Sequence, residues 1–147
     1  MKRRAIAVAV LVASTSSLAA QGVVGDAAKG ERVFKRCATC HMVGEKAKTK
    51  IGPILNGLIG RQAGTIEGYK YSKLNKNAGE AGLVWTPEKI AAYLPEPSKF
   101  LKEFLKEAGK ANMAKGRTKM TFRLRKKDDV AHVVAYLQQF SDPKPTN

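Results

Sequence analysis

Cys37 and Cys40 stand with two residues between them, and His41 follows directly. That pattern is the attachment sequence of a c-type haem. Each thiol can add to one vinyl group of the porphyrin, giving two thioether bonds. The imidazole is then delivered to the iron from the same side of the ring. The chain has two cysteines in all, so the motif uses the whole thiol inventory. A bare Cys-x-x-Cys also serves redox dithiols and half zinc sites. A zinc site would need a second pair of ligands at similar spacing, and the other histidine is His132 alone. A thioredoxin-like dithiol would sit in a strand-helix-strand context, whereas the residues ahead of Cys37 read as helix. A redox dithiol or disulfide is the remaining alternative to haem.

A haem held by His41 alone would be five-coordinate and open to small molecules. A second protein ligand would make it an electron carrier. The side chains able to serve are Met42, Met113, Met120, His132 and several lysines. Met42 adjoins His41 and cannot reach the other face of the ring. His132 stands beside the apolar stripe of a C-terminal helix, where an ordinary part-buried histidine is the simpler reading. Met113 and Met120 both precede that helix. Spacing slightly favours Met120, in the non-helical stretch Thr118-Lys119-Met120-Thr121-Phe122. A methionine there also serves as core filling, so spacing alone leaves the choice open.

The elements that must position these groups read as helices joined by long connections. Asp26 caps a first helix over 27–36, where Ala27, Gly30, Val33, Phe34 and Cys37 recur at helical spacing. Gly30 lies on that stripe, where it lowers helix propensity. Its use would be the close approach of a second helix. Asp128 caps a last helix over 129–140, with Val130, Val133, Val134, Leu137 and Phe140 on one face. The two faces can bury each other, Gly30 admitting a side chain such as Tyr136 or Val133. Thr86-Pro87-Glu88 reads as N-cap, N1 proline and first-turn acid of a helix that ends by Pro95. Ser98 caps the next, with Phe100, Leu101, Phe104, Leu105 and Ala108 on one side and Gly109 at its end. A short helix covers 72–78. Residues 42–70 are glycine-rich and aperiodic and read as loop. A loop that long inside a compact domain needs something to pack on, and a haem would serve. No strand ladder is evident, so the fold class is all-α.

Residues 1–20 have the three-part design of a secretory leader. Lys2, Arg3 and Arg4 give a basic start, Ala5 to Ala13 a small apolar run, and Ser17-Leu18-Ala19-Ala20 a small-residue end. The apolar run is far short of the about 20 residues of a membrane span. Cleavage after Ala20 would leave Gln21 first; cleavage after Ala19 fits the small-x-small rule better. An uncleaved anchor is the alternative. Export suits covalent haem attachment, which in bacteria takes place outside the cytoplasm. Removal of 1–20 leaves 127 residues, which suits one domain over 21–147 with an ordered part over about 25–140. The tail over 141–147 is expected to be loosely ordered. No later segment is long and apolar enough to span a bilayer.

The chain carries 27 basic and 12 acidic residues, a formal charge of +15. Loss of the leader leaves +12, and two haem propionates would bring that to about +10. Such a charge favours acidic partners met through fast, salt-sensitive encounter. A solvated basic surface without partner meaning is the bland alternative. Nucleic acid is the usual partner of a basic chain, but the leader argues against it and no nucleic-acid motif is present.

With these residues in place, the chain resembles the class I cytochromes c, of the bacterial cytochrome c2 and c550 type. Gly25-Asp26-Ala27-Ala28-Lys29-Gly30-Glu31 with Phe34, followed by Cys-Ala-Thr-Cys-His, resembles the family's first helix and haem turn. Gly52-Pro53 resembles the histidine-side loop, and Gly57, Gly60, Arg61 and Gly64-Thr65 the glycine-rich stretch. Gly68-Tyr69-Lys70-Tyr71-Ser72 with Asn75, and Trp85-Thr86, resemble the haem floor. Lys119-Met120-Thr121-Phe122 and Ala135-Tyr136-Leu137 resemble the methionine loop and last helix. The likeness runs in order over residues 25–140. The chain departs at 42–51, which is short and lysine-rich, and at 106–117, which is longer than in mitochondrial relatives.

The resemblance implies a cytochrome c fold, with N- and C-terminal helices crossing and shorter helices and loops around one covalent haem c. Cys37 and Cys40 would hold the haem, and His41 and Met120 would be the axial ligands. The Pro53 carbonyl would accept a hydrogen bond from His41, an outer-shell contact of the kind that orients a metal ligand. Arg61, Tyr71 and Trp85 would lie near the propionates, and Tyr93 and Asn75 beside the methionine. Histidine–methionine ligation raises the reduction potential. The implied function is a monomeric periplasmic electron carrier, not an enzyme. It would take electrons from a cytochrome bc1-type complex to a photosynthetic reaction centre, a terminal oxidase, or both. Lys35, Lys50, Lys99 and Lys119 are candidates to ring the haem edge. The alternatives are a haem enzyme or gas sensor with an open sixth site, against which the Lys119-Met120 loop argues, and a subunit of a larger redox enzyme. A two-haem peroxidase would need a second attachment motif, which is absent.

Overall fold

The computed structural model describes residues 23–141; the leader expected over 1–20 and most of the tail lie outside them. Asp26 starts α1 (Ala27–Phe34), its carboxylate accepting the Lys29 amide proton at 3.0 Å. This satisfies one of the amides that a helix start leaves without a partner. Ser72 caps α2 (Lys73–Glu80) and Thr86 caps α3 (Pro87–Tyr93) in the same way. Then follow α4 (Pro97–Glu107), a 3-10 turn over Ala111–Met113, and α5 (Lys127–Gln138).

Helices α1 and α5 join the two ends of the described chain. A Cβ on Gly30 would fall onto the His132 carbonyl, and one on Gly25 onto the Ala131 carbonyl. The close approach expected at Gly30 is therefore made mainly by backbone, with the Tyr136 Cβ beside it. The Asp26 amide donates to His132 Nδ1 at 3.0 Å across the joint. Phe34 packs on Tyr136 with ring centroids 5.3 Å apart.

The main core lies between α2, α3, α4 and α5, where Leu74, Leu83, Leu101, Leu105, Leu124, Val133 and Val134 are fully buried. Residues 42–70 contain no helix. Five glycines there adopt left-handed φ between 65° and 94°, a conformation that excludes helix continuation. The stretch is held to residues 83–85 by Gly60 N to Trp85 O, Trp85 N to Arg61 O and Ala63 N to Leu83 O, each 2.8–2.9 Å. Among the described residues the only β pairing is an isolated bridge, Gln62 with Val84. None of the helices among them is long and apolar enough to cross a membrane.

Two helix starts differ from the sequence reading. Helix α4 begins at Pro97, so Ser98 sits inside the first turn and does not cap it. Proline's fixed φ suits the first helical position, and the Ser98 hydroxyl is used elsewhere. Ala108, read on the buried side, is the exposed C-cap. Helix α5 begins at Lys127, and Asp128 is within its first turn. There Asp128 and Asp129 meet the positive end of the helix dipole, and Asp129 pairs with Arg36 at 3.5 Å and Lys126 at 3.6 Å.

Candidate functional site

A single cleft gathers Cys37, Cys40, His41, Pro53, Arg61, Tyr71, Asn75, Trp85, Tyr93 and Met120 on its lining. These residues come from five separate stretches of chain. The turn after α1 presents the motif: Cys40 N bonds Cys37 O and His41 N bonds Cys37 O, at 3.0 and 2.9 Å. Both thiols are half-buried and not joined to each other. Burial pushes the Cys37 thiol up to about 11, against the charge of Arg36.

His41 is oriented by its surroundings. Its Nδ1 donates to the Pro53 carbonyl at 2.7 Å, which leaves the Nε2 lone pair as the ring's free ligand. A Cβ on Gly52 would collide with the imidazole, so glycine lets the ring lie against the backbone. Burial holds His41 below its ordinary pKa; the Pro53 bond opposes this and the Arg61 charge adds to it. The ring is thus kept neutral, the form that binds metal.

Arg61 donates to the carbonyls of Asn56 at 2.9 Å and Ile54 at 3.1 Å, fixing a half-buried cation on the cleft wall. Burial lowers its pKa, opposed by Tyr71, and burial raises that of Tyr71. Trp85 and Tyr93 meet edge to face at 4.9 Å. Tyr93, pushed up to about 12 by burial, has its hydroxyl 3.4 Å from that of Thr118. The Thr118 hydroxyl also accepts from the Met120 amide at 3.4 Å.

Met120 is the one methionine of the described residues on the cleft lining. Met113 packs against the core, and its carbonyl accepts from Asn77 at 2.9 Å. Met42 and His132 do not line the cleft either. Of the four lysines considered, Lys119 does, and it donates to the Lys70 carbonyl. Lys50 donates to the Ala38 carbonyl at 2.7 Å, next to Ile51 on the lip. Lys99 pairs with Glu103 at 3.7 Å, in a separate groove on α4. Lys35 is exposed and off the lining.

The lining fits a haem. Leu58, Ile90, Leu94, Val133 and Leu137 offer apolar walls, two thiols and an imidazole stand at one edge, and a thioether approaches from the loop before α5. The buried Asn75 Oδ1 has no protein partner, which marks it as an acceptor turned toward whatever occupies the cleft. Zinc fits poorly, because the described residues hold no cluster of three or more His, Cys, Asp or Glu. Sequence reasoning passed over Thr118 and Ser98, whose roles arise from partners 20 and 25 residues away. Only the proximity of Thr118 to Met120 hinted at them.

The family model described as cytochrome c matches residues 27–141. The chain is 59% identical to cytochrome c2 iso-2 of Rhodospirillum centenum over 117 residues, 80% of this chain and 97% of that one. It is 55% identical to a cytochrome c2 of Rhodopseudomonas palustris over 112 residues, 76% and 96% of the two chains. The solved cytochrome c2 from Rhodospirillum centenum superposes with a TM-score of 0.79 at 58% identity, covering 80% of this chain and all of that one.

Proposed function

This chain belongs to the cytochrome c family and is a monohaem electron carrier with covalent haem c; from that premise we propose that it works as a monomer in the periplasm, moving single electrons from a cytochrome bc1-type complex to a photosynthetic reaction centre or terminal oxidase. The single observation that carries this reading is the convergence of all ten expected residues on one cleft. In it Cys37 and Cys40 would hold the haem, and His41 and Met120 would ligate its iron. The haem, when bound, would supply one-electron redox chemistry.

The chain's own residues do the rest. The Pro53 carbonyl and Gly52 hold the imidazole in one tautomer and one plane, so the ligand does not reorganise with each electron. Arg61 and Tyr71 supply donors for the acidic edge of the ring. The apolar lining excludes water and disfavours added charge in the oxidised state. The net charge of +12 over 21–147, the +15 of the full chain less Lys2, Arg3 and Arg4, supports acidic redox partners, steered electrostatically. The two relatives named above are cytochromes c2, which supports the bc1-to-reaction-centre assignment by analogy. The design of residues 1–20 supports export, after which 21–147 would remain as a single domain.

The test is the visible spectrum of the purified protein, oxidised and then reduced, with and without carbon monoxide. A low-spin c-type spectrum with the weak far-red sulfur-to-iron band, and indifference of the reduced protein to carbon monoxide, is expected. Prompt carbon monoxide binding without that band would remove Met120 from its role and favour an enzyme or gas sensor.

A further inference from the structure

The corner between α3 and α4, residues 94–98, grips the Met120 segment at both ends. Upstream of Met120, the Thr118 amide donates to Ser98 Oγ at 3.1 Å. Downstream, the Leu124 amide donates to the Leu94 carbonyl at 2.9 Å. Glu96, from the same corner, pairs with Arg123 at 3.3 Å and Arg125 at 3.1 Å. Between the corner and the Met120 segment the chain makes the rest of α4 and the 3-10 turn, so these contacts close a long excursion.

The contacts differ in weight. The Glu96 pairs join side chains 39–65% exposed, where ion pairs are weak. Thr118 is buried, at 8% exposure, and its amide has Ser98 as its partner. Its hydroxyl meets Tyr93 and the Met120 amide only through 3.4 Å contacts. Loss of the Ser98 oxygen would strand a buried donor, the more damaging way to break a hydrogen bond. The cheapest relief is for Thr118 to move outward to water. That motion draws the Met120 backbone with it while leaving α1, α5 and the leucine core in place, a local rather than a global opening.

We propose that the 94–98 corner is a clamp that sets how firmly Met120 stays on the iron, with Ser98 as its principal positioning residue and Glu96 as a minor one. This rests on the reading of Met120 as an axial ligand. Ser98 touches neither haem nor partner in this scheme; it acts through Thr118.

The experiment uses haem-loaded wild-type protein, Ser98→Ala, Ser98→Thr and Glu96→Gln. Ferric protein is titrated with imidazole at fixed pH and ionic strength, following loss of the far-red sulfur-to-iron band, with guanidinium unfolding measured in parallel. Ser98→Ala is expected to take up imidazole about five- to tenfold more tightly, the scale of one buried hydrogen bond. Ser98→Thr, which keeps the acceptor oxygen, should stay within about twofold of wild type. Glu96→Gln should shift affinity in the same direction by less than Ser98→Ala. Unchanged imidazole affinity in Ser98→Ala with an intact band overturns the clamp, and so does an equal shift in Ala and Thr variants. If Ser98→Ala does not accumulate as folded haem protein, Glu96→Gln decides: a rise in affinity supports the clamp and none overturns it. A wild-type protein lacking the far-red band sinks the Met120 reading, and the clamp with it, which separates that failure from a failure of the clamp alone.

Discussion

Helices α1 and α5 meet backbone to backbone, with glycines 25 and 30 lying directly under the carbonyls of Ala131 and His132. The cleft beside them is built the other way. Its walls are residues drawn from loops and helix flanks far apart in the chain. The joint needs only the chain itself; the cleft needs a large apolar guest to give its lining something to touch. A single protein thus carries one region specified by shape at the level of the main chain and another specified by what it holds.

Withholding the guest should break the comparison most widely. In a Cys37→Ser, Cys40→Ser double variant the apolar cleft lining has no partner, and a water-filled apolar cleft is unfavourable. The near-ultraviolet circular dichroism around Trp85 should be lost together with a cooperative thermal transition. A variant that kept both would show that the leucine core suffices without haem.

Gly30→Val attacks the joint instead. The added side chain must push α5 off α1, an overpacking expected to destabilise by about 3 kcal/mol. Guanidinium unfolding of the haem protein measures it. The far-red band should persist until global unfolding, because Met120 is not on the joint. Thr86→Ala is smaller, about 1 kcal/mol for a lost N-cap, since the Thr86 hydroxyl accepts the Lys89 amide proton at 3.2 Å. It touches the cleft side, as α3 carries Ile90 and Tyr93, so unfolding should be followed by Trp85 fluorescence as well as by denaturant midpoint.

The least effect is expected in acid. The bond from the Lys29 amide holds the Asp26 carboxyl below its ordinary value of 3.8. A depressed carboxylate contributes stability that is complete above that ordinary value and is lost as pH falls through the folded one. Asp26→Asn keeps a capping oxygen without the charge. Its stability should therefore decline less steeply than that of wild type below pH 3.8, in acid titrations at constant salt. Equal slopes would mean that the charge contributes nothing at the joint.

The joint was also the more legible region. The Asp26 cap, the apolar stripe of α1 and the valines of α5 are local patterns, and Thr86-Pro87 announces α3 by residue type alone. The motif Cys37-x-x-Cys40-His41 is readable because covalent chemistry fixes its spacing. The starts of α4 and α5 were less so, because Ser98 and Asp128, which look like caps, both lie inside the first turn of their helices. Ser98 accepts the Thr118 amide proton instead. The Ser98 assignment depends on a group 20 residues away, which periodicity does not register. The same limit applies to Met120 against Met113. Spacing favours Met120 only slightly and the likeness of the Lys119-Met120 loop selects it; the folded chain places it, and not Met113, on the cleft.

The α1–α5 joint also has a consequence in time. Its partners, Asp26 and His132, are 106 residues apart. A chain emerging N-terminus first exposes Cys37 and His41 long before Val133 exists to cover them. Contacts of such high sequence separation form late and slowly. The attachment motif therefore emerges well before the helix against which α1 packs. Only the arrival of the last helix closes the ring of structure around it.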